Sequence, residues 1–427
     1  MRIAFPSCSL IAALVTASVL PAQATIPPVR ADHPAMKAAL ETIKADNAWT
    51  IEQQISICEI PAPPFKEERR AAEMKRRFES LGLANVRIDS IGNVLGEYRG
   101  QGAGPTVTLN AHLDTVFPEG TDVQVSKTGT LMKGPGIGDD CRGLATILAV
   151  ARALKQAKVE TQGTIIFIAN VGEEGPGNLR GIRYLFKNPP AKIDYFVAVD
   201  GTGLGIATGG VGSNRYKVSF KGPGGHSYGA FGMPSPIHAM GRAIARISEM
   251  RVPTTPKTTF NVGIVEGGTS VNTISPLGAM DVDLRSESAD ELARLDGMFR
   301  KAVADALKAE NDRWPESKAK VTVDIEDRGV RPASLRKDES VIAKVAFNAG
   351  TSLGFRAEMG AGSTDANIPM SLGYQAITLD GGGEGKGAHS TAESYDDGAK
   401  GYLGPQWVAL VVTALAGLSG GGQRIVP

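Results

Sequence analysis

The sequence predicts an α/β chain, with one mixed-sheet domain interrupted by a smaller α+β insert. Three observations carry that prediction. Short apolar runs at Pro105–Leu109, Thr164–Ala169, Tyr195–Val199 and Gln375–Leu379 are rich in β-branched residues, as strands buried on both faces are. Segments of helical periodicity are interspersed among them. Between Asn214 and about Arg328 the texture changes to alternating polar and apolar residues, the pattern of a half-solvated sheet.

The 427 residues are enough for two domains, and 42% hydrophobic content supports sizeable cores. Lys+Arg 46 against Asp+Glu 45 leaves no basic excess, so nucleic acid is not an expected partner. Residues 1–24 read as a secretory signal peptide: Arg2 opens it, Leu10 to Leu20 is its apolar core, and Ala22-Gln23-Ala24 is an A-x-A cleavage site. The apolar run is shorter than the ~20 residues of a membrane span, so export to a periplasm, with no membrane attachment after cleavage, is expected. Cys8 leaves with the leader. Cys58 and Cys141 remain and are expected to be free.

In chain order, Met36, Leu40 and Ile43, then Ala71, Met74, Phe78 and Leu81, mark two helical regions separated by Pro61, Pro63 and Pro64. Val86 to Tyr98 reads as a strand pair turning at Ile91-Gly92-Asn93. The run Pro105–Leu109 follows, then Asn110-Ala111-His112-Leu113-Asp114-Thr115. Lys133 to Gly143 is glycine-rich and contains Asp139-Asp140. Leu144, Ile147, Leu148, Ala151 and Leu154 then continue as an amphipathic helix, so the Asp pair sits near a helix N-terminus, where capping alone would favour Asp. The insert contains strands at Tyr216–Phe220, Thr258–Val265, Ala279–Leu284 and Val321–Ile325, and helices over Ile237 to about Met250 and Asp290 to Leu307. Gly381 to Gly387 reads as a flexible site loop. Trp407–Leu418 is an apolar helix too short to span a membrane, and reads as core packing. His33 reads as a surface residue and His238 as helix packing.

Four strands each lead into a His or an acid: His112 and Asp114, Glu173 and Glu174, Asp200, and Asp380 with His389 beyond it. Any one is an ordinary loop charge by itself. Together with Asp139 they read as a site, because chemistry in open α/β sheets collects at the carboxyl ends of strands. Two imidazoles with several carboxylates suit borderline divalent ions, zinc above all. Two ions ~3.5–4 Å apart need a shared ligand, which a carboxylate can be, and a further carboxylate can act as base toward a water whose pKa the ions lower to ~7. No serine-nucleophile elbow is expected. No phosphate-binding G-x-x-x-x-G-K-[ST] occurs, and Gly383-x-Gly385-x-x-Ala388 is a weak dinucleotide match with no helix after it.

In these motifs the chain resembles the di-zinc exopeptidase and deacylase family that includes glutamate carboxypeptidase, peptidase T, aminoacylase and acetylornithine deacetylase. His112-Leu113-Asp114-Thr115, Gly134-Pro135-Gly136-Ile137-Gly138-Asp139-Asp140, Glu173-Glu174, Asp200, Gly224-Gly225-His226-Ser227 and Ala388-His389-Ser390 match in order. The resemblance covers nearly the whole chain after the leader. It implies a zinc-exopeptidase-like fold, with a mixed-sheet catalytic domain in residues 25–211 and 330–427 and a lid and dimerisation domain in residues 212–329. It implies two Zn2+ per subunit, with Co2+ or Mn2+ as substitutes. His112 and Asp200 would bind one ion, Glu174 and His389 the other, and Asp139 both, with a cis Asp139–Asp140 peptide. Asp114 would orient His112, Glu173 would be the general base, and His226 would stabilise the developing oxyanion, supplied by the partner in a homodimer. Asn272 would reach the substrate. Arg331 and Arg285 would grip a substrate carboxylate or serve as ordinary ion pairs. Relatives often have Lys after the Asp pair, where Cys141-Arg142 stands here. The expected activity is a zinc exopeptidase on short peptides. The alternatives are a deacylase or amidase of N-acyl amino acids and a catalytically silent peptide receptor, which would have lost a ligand or the base.

Overall fold

The computed structural model describes residues 25–102 and 104–419. The expected leader, residues 1–24, lies outside the described residues.

The chain opens with α1 (Pro34–Ala45), α2 (Asn47–Cys58) and α3 (Glu68–Ser80). Strands β1 (Ala84–Ile88) and β2 (Val94–Tyr98) form the expected hairpin. Strand β3 (Val107–His112) carries its ladder three residues beyond Leu109, so His112 ends the strand rather than lying in a loop after it. Two short strands follow, β4 (Ser126–Thr128) and β5 (Leu131–Lys133). Helix α4 (Cys141–Gln156) is capped by Asp140, whose side chain accepts from the Gly143 amide. After it come β6 (Ile165–Asn170), α5 (Arg180–Lys187), β7 (Tyr195–Val199) and β8 (Gly205–Gly210).

The insert contains β9 (Gly212–Lys221), β10 (Gly225–His226), α6 (Pro236–Ser248), β11 (Thr258–Gly267), β12 (Thr273–Ile274), β13 (Leu277–Ser286), α7 (Ala289–Asp312) and β14 (Thr322–Arg331). Strand β14 runs two residues past the boundary expected at 329. The chain closes with α8 (Val341–Ser352), β15 (Glu358–Gly362), α9 (Asn367–Ser371), β16 (Gln375–Leu379), β17 (Glu384–Lys386), β18 (Ser394–Asp396) and α10 (Leu403–Ala416).

Eight strands form one mixed sheet in the order β1-β2-β6-β3-β7-β16-β8-β15. Its centre is parallel: β3 pairs with β6 and β7, and β16 with β7. Both faces are covered, which is why the strands read as unbroken apolar runs. Leu109, Phe167, Val197 and Leu379 pack into one core with α4, α8 and α10. Ile166, Ile168, Phe196 and Ala376, on the opposite face, pack into a second core against α5 and α9. Helix α10 is buried along nearly its whole length, and Trp407 donates its indole N–H to the Ala346 carbonyl at 2.8 Å. No helix among the described residues is long and apolar enough to cross a membrane.

The insert's sheet, in the order β11-β13-β9-β14, is antiparallel and covered on one face only. Tyr216, Val218, Phe220, Met280, Val282 and Leu284 pack against Ala239, Ala243 and Ile247 of α6 and Leu295, Phe299 and Val303 of α7. Helix α7 begins at a Ser288 cap that accepts from the Glu291 amide, with Asp290 and Glu291 in its first turn. A small sheet, β17-β18-β5-β4, ties down the glycine-rich stretch 381–387. Glu384–Lys386 is therefore a paired strand, not the free loop expected from its composition.

Candidate metal centre

Because β3, β6, β7 and β16 run parallel, their carboxyl ends open on one edge of the sheet. His112 ends β3. Glu173 and Glu174 follow β6, Asp200 follows β7, and Asp139 precedes α4. His389 arrives from the loop between β17 and β18, at φ 64.

These side chains converge. His112 Nε2 lies 3.0 Å from Asp139 Oδ1, and His389 Nε2 lies 3.1 Å from Asp139 Oδ2 and 3.0 Å from Glu174 Oε1. Asp139 thus stands between the two imidazoles. Ligand-capable atoms of His112, Asp139 and Asp200 lie within 4.8 Å of one another, as do those of Asp139, Glu174 and His389, and those of His112, Glu173 and Glu174. All five expected ligands and the expected base come together in one place, and the Asp139–Asp140 peptide is cis.

A network of buried hydrogen bonds fixes the group. Asp114 acts differently from the expectation. Its carboxylate is 3.7 Å from His112 Nδ1, too long to orient the ring. The ring instead bonds the Asp114 carbonyl at 3.0 Å, and the Asp114 carboxylate accepts the amides of Glu173 and Glu174 at 3.0 and 2.8 Å. Asp140 Oδ2 accepts the His112 amide at 2.9 Å. Glu393, which sequence reasoning missed, accepts from the amides of Gly136, Gly138 and Asp139 at 2.7–2.9 Å and so shapes the Asp139 turn. Its one signal in the sequence is its place four residues after His389. The carboxylate of Asp365, in the Ser363–Asn367 loop that the sequence reading expects to help select the substrate, instead takes Asn110 and Asn170 side-chain amides at 2.9 and 2.7 Å beneath the site.

The site is electrostatically unbalanced. Burial pushes Asp200 up to about 7, helped by Asp139, and pushes Glu173 well above the usual carboxylate range despite Arg331. Burial also raises Asp114 to about 6. Asp139 alone goes down: burial works against its charge, but hydrogen bonds from His112 and His389 outweigh it. His389 is raised to about 10 by its bonds to Asp139 and Glu174. Buried carboxylates that resist ionisation around two converging imidazoles are what a cation would relieve, and this donor set of two N and several O atoms fits borderline divalent ions.

A cavity of about 360 Å³ opens on this cluster, lined by Asp139, Glu173, Glu174, Asp200 and His389 on one side. Arg215, Arg285 and Arg331 line the other, with Ser363 and Thr364. Arg331 Nη1 donates to Glu173 Oε1 at 2.7 Å and to the Ser363 carbonyl at 2.9 Å, and Nη2 donates to the Glu173 carbonyl at 2.6 Å. Arg285 bonds Asp283 at 2.7 Å. A larger groove of about 890 Å³, against α8 and β15, contains no histidine and none of the clustered acids.

His226 and Asn272 do not line the cavity. They meet on the exposed β10–β12 arm, where the Ser227 amide donates to the Asn272 carbonyl at 2.8 Å. Arg142, standing near where relatives have Lys, is buried and bonds the carbonyls of Gly381 and Gly401 at 2.7 and 2.6 Å, so it is a structural residue. Cys58 and Cys141 are free and buried. His238 is exposed on α6 rather than packed, and His33, expected at the surface, is half-buried at the start of α1. The spelling G-x-S-x-G, overlooked in the sequence, occurs at Gly225–Gly229 and Gly350–Gly354. Ser227 follows the two-residue β10 and Ser352 ends α8, so neither sits on a strand-to-helix elbow.

Comparison with known proteins gives the family and the fold. Carboxypeptidase G2 of Pseudomonas sp. (strain RS-16) is 28% identical over 342 residues, covering 76% of this chain and 78% of that one. N-acetylcysteine deacetylase of Bacillus subtilis (strain 168) is 25% identical over 262 residues, covering 57% and 66%. Aminopeptidase PepT of Bacillus cereus ATCC 10987 shares the fold with a TM-score of 0.70 at 21% identity, over 88% of this chain and 99% of that one. The model of peptidase family M20/M25/M40 matches residues 108–403, a span that runs from β3 to the start of α10 and takes in every clustered residue, so the chain is a hydrolase of that family.

Proposed function

We propose that the protein is a zinc-dependent exopeptidase that hydrolyses the terminal amide bond of short peptides. The observation that supports this most directly is Asp139 placed between His112 and His389, with Glu173 beside the cluster and a cavity open to both. His112 and Asp200 would hold one ion, Glu174 and His389 the second, and Asp139 both. Ions held there would supply polarisation of the scissile carbonyl and a lowered pKa for a nearby water.

The chain's own residues do the rest. Glu173, buried and with its proton affinity raised, accepts the proton of the attacking water and passes it to the leaving amine. Asp114 holds Glu173 and Glu174 in register through their amides. Arg331 orients Glu173 and closes the cavity wall. His226, remote from the cavity in its own chain, stabilises the developing oxyanion in a second copy. Asn272, beside it on the same arm, contacts the substrate there.

The edge strand of the insert supports a homodimer. Strand β11 is an edge of the insert sheet and exposes Ile264 and Val265. The leader-like residues 1–24 support export to the periplasm. A deacylase of N-acyl amino acids is the second reading, favoured by the likeness to N-acetylcysteine deacetylase. A panel of dipeptides, tripeptides and N-acyl amino acids, assayed with zinc-loaded protein, separates the two readings. The exopeptidase reading fails if no peptide of the panel is cleaved.

A further inference from the structure

His389 is the one clustered ligand placed by neither the large sheet nor α4. It lies in the loop between β17 and β18, two strands of three residues each, and its imidazole is half-exposed. The ring meets Asp139 and Glu174 at the cluster. Where it stands is therefore set by whatever holds the segment 381–401 that carries it. Near the tip, that segment is tied by Glu393, which accepts the Asp139 amide, and by the pairing of β18 with β5. At the base, both of its ends converge on a single side chain, that of Arg142.

Arg142 is the second residue of α4, close behind Asp139 in the chain, and is fully buried. Its Nε donates to the Gly381 carbonyl at 2.7 Å and its Nη2 to the Gly401 carbonyl at 2.6 Å. The two ends meet with no side chain between them. A Cβ on Gly404 would come within 2.1 Å of the Gly381 carbonyl oxygen, and one on Gly381 within 2.9 Å of Arg142 Cγ. Thr146, one turn further along α4, is a second donor to the Gly381 carbonyl, at 3.4 Å. The guanidinium also lies over the ring of Tyr395 on β18, 5.1 Å from its centre. Its Nη1 donates to Gln54 Oε1 at 3.4 Å, and Gln54 Nε2 donates to the Ile137 carbonyl at 2.7 Å, within the turn that presents Asp139. Asp397 is 3.8 Å away, beyond hydrogen-bond reach, and is itself bonded by the Tyr395 hydroxyl and the Asn47 amide. A buried cation is costly to desolvate, and this one directs its shortest bonds at two carbonyls rather than at an acid.

We propose that Arg142 is the positioning residue for the second metal ion: by fixing both ends of the segment 381–401 to the helix that follows Asp139, it sets where His389 stands relative to Asp139 and Glu174. It touches no ligand itself. The proposal rests on the two-ion reading above. A shorter or neutral side chain leaves at least one buried carbonyl without its donor, and the base of the hairpin shifts to find another partner for it. His389 moves with the hairpin, whereas His112 and Asp200 stay at the ends of β3 and β7. Affinity then falls for one ion and holds for the other.

Zinc titrated into metal-free protein, in competition with a chromophoric chelator, reads the two affinities. Wild type should bind two ions. Arg142→Met should weaken one site about tenfold or more, the cost of removing a group that orients a metal ligand, and leave the other unchanged. His389→Ala identifies the site: adding Arg142→Met to it should cause no further loss, because the two changes act on one ion. Arg142→Lys, which keeps the charge and can reach one carbonyl, should recover part of the affinity. Trp407→Phe removes a buried bond elsewhere in the same core, to the Ala346 carbonyl, and should leave both affinities unchanged. Circular dichroism verifies that each variant is folded. Thr146→Val loosens the same clamp with the buried charge intact, so the test does not depend on an Arg142 variant folding, and it should weaken the same site by a smaller factor. Two unchanged affinities in every folded Arg142 and Thr146 variant overturn the proposal, and so does equal weakening of both sites. A wild type that binds fewer than two ions overturns the two-ion reading and the proposal with it.

Discussion

In the eight-stranded sheet both faces are covered, and every group at the candidate metal centre except the half-exposed His389 is fixed by a strand end or by buried hydrogen bonds. In the insert one sheet face is bare, and the functional candidates are scattered. Arg285 and Arg331 turn into the cavity, whereas His226 and Asn272 stand on a two-stranded arm away from it. The first region is a complete constellation within one chain. The second is a surface that completes something else, either a substrate or a second copy. On that contrast, damage to the first region should abolish chemistry, and damage to the second should change what is bound or how the copies meet.

Metal removal should have the largest effect. Chelation is expected to abolish hydrolysis, and added zinc or cobalt to restore it, with a colorimetric peptide assay as the measure. The buried carboxylates offer no other electrophile. Full activity after exhaustive chelation would dissolve the contrast at its root.

Glu173→Gln comes next. The substitution keeps the size of the side chain and its bond from Arg331 but cannot accept a proton. Loss of a general base costs about 10²–10⁴-fold in kcat, and the upper end is expected because the same group also serves the leaving amine. Zinc content by atomic absorption should stay at the wild-type level, whereas Glu174→Gln should lose metal. The reverse pattern would exchange the roles of the two acids.

His226→Ala tests the second region. Removal of one oxyanion donor costs about 10²–10³-fold. The informative measurement is a mixture. If His226 works in a second copy, Glu173→Gln and His226→Ala chains, each nearly inactive, should recover activity when unfolded and refolded together. No recovery, together with a full loss in His226→Ala alone, would place His226 in its own chain's site and require the arm to move.

What was legible in the sequence divides along the same line. His112, Glu173, Glu174 and Asp200 were readable because each ends or follows a buried strand, and buried strands announce themselves as apolar runs, whereas Asp139 before α4 and His389 between β17 and β18 were readable only from the motifs around them. The strand ends were less readable: β3 continues through Asn110 and Ala111 to His112, since a polar residue inside a covered sheet breaks the apolar pattern while keeping the ladder. Asn110 is tolerated there because Asp365 and Asn170 pair with it. Asp114 was assigned to the correct site and the wrong partner, because spacing in sequence does not reveal which of two amides or a ring a carboxylate will meet. Glu393 and Arg215 had no motif around them. Glu393 lies more than 250 residues from the amides it holds, and Arg215 becomes a wall residue only once β9, β13 and β14 are in register.

The smallest effect belongs to the insert's edge. Strand β11 exposes Ile264, Val265 and the residues up to Gly267, with its outer hydrogen-bonding edge free in the single chain. A long apolar edge strand is a template for pairing with another copy, and a lysine placed on it is a recognised way to prevent that. Val265→Lys alters no cavity residue, and Val265 is more than half exposed, so folding should survive. Sedimentation velocity should show wild type as a dimer at micromolar concentration and Val265→Lys shifted toward monomer. If His226 is supplied across the dimer, activity per site should fall with dilution in Val265→Lys at concentrations where wild type is unaffected. A Val265→Lys protein that is monomeric and as active per site as wild type at every dilution would separate the insert from the chemistry and leave the metal centre self-sufficient.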